Sequence, residues 1–207
     1  MSFIICALAG YALGCLPFAV IVSRAMGLQD PRGYGSGNPG ATNVLRSGNK
    51  LAALLTLLGD ALKAVIAILL VRHFGGTFGV PAAQIESGAL LAGFAAFVGH
   101  VFPVTLGFKG GKGVATAAGV LLTISPLLGL IVLAVWLAVA LTTRYSSLAA
   151  LCAAVAAPIA GAWILANVFA IVLLAAMSVM LIWRHKDNIR RLLAGTESRI
   201  GKKKQTQ

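Results

Sequence analysis

The chain has 207 residues, 59% of them hydrophobic and only 11% charged, with 17 Lys and Arg against 5 Asp and Glu and a net charge of +12. Soluble domains carry about 25% charged residues, so this composition and a mean hydropathy of +0.93 exclude a soluble globular protein and indicate an integral membrane one. A basic balance suits nucleic acid, anionic lipid or an anionic substrate; here the basic residues flank apolar runs and form no separate domain, which excludes the first.

A helix needs ~20 residues, and at least ~17, to cross ~30 Å of hydrocarbon. Residues 3–26 are the first such run. It has no basic leading region and exceeds the ~7–15-residue core of a signal peptide, so it reads as a retained span. Cys6 and Cys15, like Cys152 later, lack the spacing of a disulfide framework or zinc site and read as small buried hydrophobes. The run gives way to a polar stretch, GYGSGNPGATNVLR, from Gly33 to Arg46. Gly33, Gly35, Gly37 and Gly40 permit positive φ, so successive N–H groups are expected to converge on an oxyanion. Ser36 adds a hydroxyl, Asn38 and Asn43 add amide donors, and Arg46 adds a planar fork suited to phosphate. A flexible linker would explain the glycines, but not Asn43 and Arg46 directly before a helix.

The next span, 51–73, carries Asp60 and Lys63 three residues apart, close enough to pair across one turn. That pair reads as a neutralised packing element. His73 and Glu86 read as solvated residues at the outer edge. The span at 85–105 contains His100, read as a hydrogen-bonded core histidine. A second polar stretch, FKGGKGVAT (108–116), sets Lys109 and Lys112 among Gly110, Gly111 and Gly113 in front of a helix N-terminus, whose unpaired N–H groups and positive dipole end favour phosphate. It is not a Walker A loop: Leu106 stands where that motif needs its first glycine, and Gly113 where it needs a magnesium-binding Ser or Thr. One helix over 113–143 would be about 45 Å long, and Ser125-Pro126 interrupts it. Two short helices, 113–124 and 127–143, are therefore expected.

Beyond the turn at 143–147 come spans at 148–165 and 167–183, then the third polar stretch, RHKDNIRRLLAGTE (184–197). His185 and Asn188 share a helix face there. Arg190, Arg191 and Arg199 read as a basic anchor, and Lys202-Lys203-Lys204 as an attraction for anionic lipid worth about 1 kcal/mol per residue. With the N-terminus outside, all of the 17 basic residues except Arg72 and Lys63 face the cytoplasm, as the positive-inside rule favours. The expected fold is thus an all-α integral membrane protein, one domain over 1–207. It is a seven-helix transmembrane bundle with two short helices, an external N-terminus, a cytoplasmic C-terminus and cytoplasmic loops near 33–50, 106–116, 143–147 and 184–199.

The acids are Asp30, Asp60, Glu86, Asp187 and Glu197. They offer no cluster for a magnesium-dependent phosphotransferase, and no His is followed by Asp five positions on. No metal, cofactor or His/Asp dyad is expected.

Together, GSGNPGATNVLR, GHVFPVTLGFKGGKGVAT and RHKDNIRRLLAGTE resemble the three cytoplasmic motifs of the bacterial acyl-phosphate:glycerol-3-phosphate acyltransferases of the PlsY type, and length and hydropathy match end to end. The resemblance implies transfer of a fatty acyl group from acyl-phosphate to glycerol 3-phosphate, giving 1-acylglycerol 3-phosphate and phosphate, the first step of phospholipid synthesis. It places the enzyme in the bacterial inner membrane with its site open to cytoplasm and bilayer. It implies catalytic, phosphate-binding roles for Ser36, Arg46, Lys112, His185 and Asn188. Substrate-binding or loop-shaping contributions are implied for Gly37, Asn38, Gly40, Thr42, Asn43, Gly110, Gly111, Gly113 and Ser147. Ser147 belongs to a fourth cytoplasmic turn, in which Ala150 stands where another serine is expected. The implied partners are the two substrates and membrane lipid, with no nucleic acid and no obligate protein partner. The rival reading is a transporter for an organic phosphate, which also uses broken helices and cationic loops; polar loops at one surface and the lack of an inverted repeat count against it.

Overall fold

A computed structural model describes residues 1–201; the three lysines at 202–204 lie outside the described residues. Among these residues all regular structure is helical. The chain forms two compact units, Met1–Gly129 and the part from Leu130 onward.

The first unit opens with α1 (Ser2–Gly14) and α2 (Phe18–Ala25). The expected run over 3–26 is one span broken at Pro17, which has no N–H and disfavours helical geometry at Leu16. Carbonyls released by the break find new donors: Thr105 Oγ1 donates to Cys15 O (2.6 Å) and Lys63 Nζ to Leu16 O (3.1 Å). A single turn, α3 (Ala41–Val44), precedes α4 (Lys50–Phe74), whose start is capped by the Asn49 side chain accepting from Ala52 N (2.9 Å). Then come α5 (Ile85–Val101), a 3₁₀ turn at Val104–Leu106 and α6 (Val114–Ile124).

Lipid offers no hydrophobic drive between helices, so close backbone approach matters more. Gly10 and Gly14, one turn apart on α1, lie directly on the backbone of Ala92 and Ala96 in α5, where a Cβ would overlap. At the far end of α4, Arg72 pairs with Glu86 of α5 (2.9 Å) and donates to Thr123 O of α6 (2.9 Å). Glu86, expected to be merely solvated, is thereby half of an ion pair.

The boundary between units falls within α7 (Pro126–Thr143). The expected interruption is present: Pro126 occupies the first helical position, where its missing N–H costs nothing, and Ser125 Oγ accepts from Leu128 N (3.3 Å). The second unit continues with α8 (Ser146–Ile164), α9 (Val168–Arg184) and α10 (Lys186–Leu193). α9 and α10 meet at His185 with a bend of 57°. Five segments have the length and hydropathy of spans by themselves: Ser2–Ala25, Lys50–Phe74, Ala82–Leu106, Pro126–Thr143 and Ser146–Ile164. α6 is a shorter apolar helix, and α9, at 17 residues, stands at the lower limit of a span and continues past the bend into α10.

Candidate active site

In the first unit, the loop between α2 and α4 is organised by Asn43, which is buried to 2% exposure. Its Nδ2 donates to the carbonyls of Pro31 (2.6 Å) and Tyr34 (3.1 Å), while Oδ1 accepts from Ser36 N (3.0 Å) and Arg46 Nη1 (3.4 Å). Ser36 and Arg46 are thus fixed to the same oxygen, with both side chains exposed. Gly35 has φ +62° and lies against Asn43 Oδ1 and the Arg46 side chain, so only glycine fits there.

This geometry corrects two sequence expectations. Asn43 was expected to present an amide donor outward; its whole amide serves the loop instead. The expected convergence of free N–H groups on an anion is also not what forms. Gly33 N donates to Asp30 O, Gly37 N to Tyr34 O, Gly40 N to Asn38 O, and Asn38 N to Ser36 Oγ. Buried or half-buried backbone donors must be satisfied, and here the loop satisfies them itself. Ser36, Thr42 and Arg46 are exposed at the loop surface. Arg32 turns aside to Asp30 (2.6 Å), and that hydrogen bond holds the Asp30 carboxyl below its usual range.

The second loop behaves in the same way. Gly110 N donates to Val101 O (3.2 Å) and Gly111 N to His100 O (3.1 Å), so the loop folds back on the last turn of α5 and caps its orphan carbonyls. Gly113 has φ +84° and sits against the Phe97 ring. Lys112 is half-buried at the entrance to α6, and Lys109 is exposed. Gly110 and Gly111 line one recess with Pro39 of the first loop, Leu16 and Pro17 of the α1 to α2 break, and Asp60, Lys63 and His100. Behind the two loops, Lys63 Nζ lies 2.9 Å from Asp60 Oδ1 and 2.8 Å from His100 Nδ1. The expected Asp60–Lys63 pair is therefore a cluster of three with His100.

In the second unit, His185 is buried at the α9 to α10 bend, its Nδ1 2.8 Å from Leu181 O. A carbonyl accepts only, so Nδ1 carries the proton and Nε2 presents a lone pair in the neutral ring. Asn188 Nδ2 (2.6 Å) and Ser147 Oγ (2.8 Å) both donate to Glu197 Oε1, and Arg191 Nε donates to Oε2 (2.6 Å). Burial alone would raise the Glu197 pKa, but donors from Asn188, Arg191 and Ser147 outweigh it and hold the carboxyl below its ordinary range. Arg191, read from sequence as a basic anchor, is half of this knot. Arg199 lies 5.2 Å over the Tyr145 ring.

All five carboxylates of the chain stand in ion pairs: Asp30 with Arg32, Asp60 with Lys63, Glu86 with Arg72, Asp187 with Arg190, and Glu197 with Arg191. Within the first unit, the exposed Arg46 and the half-buried Lys112 are cationic groups on loops that satisfy their own backbone donors.

Residues 4–195 match the family profile described as glycerol-3-phosphate acyltransferase. The chain belongs to that family. Glycerol-3-phosphate acyltransferases of Laribacter hongkongensis and Paraburkholderia phymatum are 59% and 57% identical to it, covering 95% and 100% of this chain and 95% and 97% of theirs. Two solved structures of PlsY, an integral membrane glycerol 3-phosphate acyltransferase, superpose with TM-scores of 0.86 and 0.84 at 36% and 35% identity, covering 97% of this chain and 96% of theirs. One is the glycerol 3-phosphate form and the other the lysophosphatidic acid form. This acyltransferase is accordingly an all-α, multi-pass membrane protein.

Sequence reasoning missed Glu197 and His100 as organisers. Glu197 had a signal, being the acid that closes a cationic stretch containing Asn188. His100 had a weaker one: it lies near the start of the 99–116 segment that contains Lys112, but its contact with Lys63 joins positions 37 residues apart.

Proposed function

We propose that this acyltransferase moves a fatty acyl group from acyl-phosphate to the C1 hydroxyl of glycerol 3-phosphate, forming 1-acylglycerol 3-phosphate and inorganic phosphate without a metal. The observation that carries the reading is the pair of related crystal forms, one with the acceptor and one with the product of such a transfer. The donor is the one that the motif resemblance implies, and it suits the residues present. Acyl-phosphate is already activated, so the protein needs chiefly to hold two anions together and stabilise the phosphate that leaves.

Arg46 and Lys112 offset that repulsion, Arg46 through a fork suited to phosphate and Lys112 as a compact charge at a helix start. Ser36 and Thr42 add hydroxyls beside Arg46, Asn38 and Gly40 shape the turn between them, and Gly37 completes it. Preorganised donors of this kind stabilise charge developing in the transition state, and orienting the hydroxyl toward the acyl carbon supplies up to ~7–11 kcal/mol in well-aligned cases. The resemblance extends phosphate-binding roles to His185 and Asn188, whereas the Ser147 hydroxyl proton goes to Glu197 and orders that carboxylate. With every carboxylate paired, two acceptors are chemically competent for the hydroxyl proton: a phosphate oxygen of the donor, or Nε2 of His185. Turnover at saturating substrate in His185→Ala separates them. Ser36 has no basic partner that would make it a covalent nucleophile. We place the enzyme in the bacterial inner membrane as a seven-helix bundle, N-terminus outside and polar loops facing the cytoplasm.

Purified protein with palmitoyl-phosphate and glycerol 3-phosphate, in EDTA, is expected to release phosphate and lysophosphatidate in equal amounts, and Arg46→Ala to lose both. Product only with acyl-CoA or acyl-carrier protein would overturn the donor; uptake of labelled glycerol 3-phosphate into vesicles without conversion would favour transport.

A further inference from the structure

We propose that Lys63 fixes His100 as a neutral imidazole protonated on Nε2, and that His100 in this form is the positioning residue for the Gly110-Gly111 turn that carries Lys112. An ammonium has three N–H donors and no acceptor. Lys63 Nζ has three partners within donor reach: Leu16 O at 3.1 Å, Asp60 Oδ1 at 2.9 Å and His100 Nδ1 at 2.8 Å. Two are oxygens that only accept, so the third N–H points at Nδ1, which must present its lone pair. The ring proton then sits on Nε2. Asp60 Oδ1 lies 3.3 Å from the same Nδ1, as two acceptors sharing one ammonium do. A charged imidazolium would put a second buried cation on one carboxylate, which burial penalises.

The Nε2 edge of the ring lies directly beneath Gly111, where even a methyl group would overlap it. His100 thus holds the turn twice. Its carbonyl takes the Gly111 N–H, and its ring packs directly under the same residue. Lys112 follows immediately. The anchor is itself remote from the loop: Leu16 O is available to Lys63 only because Pro17 breaks the first span, and Pro39 of the Arg46 loop borders the same recess. A change at His100 is therefore felt first at the Gly110-Gly111 turn. The functional half of this inference rests on the phosphate-binding role proposed for Lys112.

The test is made on the full chain in detergent. ¹⁵N imidazole spectra taken without substrate, with His100 assigned by the signals lost in His100→Asn, are expected to show a protonated Nε2 and a bare Nδ1. A protonated Nδ1, or a doubly protonated ring, overturns the tautomer. In kinetics, His100→Asn keeps an acceptor for Lys63 but supplies no donor at the Nε2 position, so KM for a phosphate-bearing substrate rises roughly tenfold or more. His100→Gln restores an N–H donor there and brings KM back to within about threefold of the native enzyme. A merely structural role would lower the active fraction, hence apparent kcat, and leave both KM values alone; that result in His100→Asn overturns the positioning role. Should His100→Asn fail to fold, a folded His100→Gln whose KM is raised tenfold overturns it equally. Absence of acyl transfer by the native enzyme with any donor would sink the function proposed above and leave the tautomer measurement standing.

Discussion

Asn43 closes the first loop with one buried amide, joining the backbone of Pro31 and Tyr34 to Ser36 and Arg46. Asn43→Ala would leave two carbonyls and one N–H without their partner, at about 1–3 kcal/mol for each group that stays buried. The expected result is a lower unfolding temperature in detergent together with at least tenfold lower kcat/KM, because Arg46 loses its fixed neighbour; an unaltered KM would show that the loop keeps its shape alone. Glu197 plays the corresponding part in the second unit, and its charge makes the effect depend on pH. Its folded pKa lies below the ordinary 4.5, so the ionised form stabilises the fold above that value. The contribution fades as pH falls through the folded pKa. Glu197→Gln should therefore cost about 1.5–3 kcal/mol at pH 7 and nothing once native Glu197 is protonated. Thermal melts of both proteins would draw together as pH falls from 7 through the folded pKa of Glu197, and a gap that stays constant with pH would refute it.

At the scale of elements, what was legible in the sequence was whatever depends on neighbours along the chain. The two-helix split at Ser125-Pro126 and the Asp60–Lys63 pair follow from local rules. So do the apolar runs, whose observed ends agree with expectation to within a few residues. The break at Pro17 was equally local and was passed over because its flanks are uniformly apolar. What could not be read was which distant group each freed donor or acceptor would meet. Nothing in the glycine-rich loop says that its N–H groups close on the loop itself, or that those of Gly110 and Gly111 close on α5. Packing between helices has the same character: Gly10 and Gly14 look like unremarkable apolar positions until α5 lies on them. Gly14→Val would push two branches into the Ala96 backbone, and overpacking of this kind costs typically 1–3 kcal/mol. A clear drop in melting temperature is expected, whereas Gly76→Ala, with nothing within 4 Å of its added carbon, should melt like the native protein. Equal melting of all three would mean that α1 and α5 separate at no cost.

For the whole molecule, charge and hydropathy together set how the chain lies in the bilayer. Arg72 is the one basic residue expected on the outer side, and it is engaged by Glu86 and Thr123 O. Orientation follows the count of Lys and Arg and not the net charge, so the single Arg72 is outweighed by number whether or not it is paired. Apart from Lys63 within α4, the remaining basic residues lie in the sequence around Arg24 to Lys50, at Lys109 and Lys112, at Arg144, and from Arg184 onward. On the proposed topology the external connections would be short and nearly uncharged, near 75–84, at Ser125 and at 165–167. With the three native cysteines replaced, single cysteines at Gly76 and Asn167 are expected to react with a membrane-impermeant maleimide on intact cells. Those at Gly48, Lys109 and Arg199 should react only after the membrane is opened. The reverse pattern would turn the bundle over and move Arg46 and Lys112 away from the cytoplasm, where a soluble acceptor such as glycerol 3-phosphate is made. Reaction of Asn167 and Arg199 from the same side would instead mean that α9 and the bent α10 do not complete a span, leaving an even number of crossings between the N-terminus and Arg199.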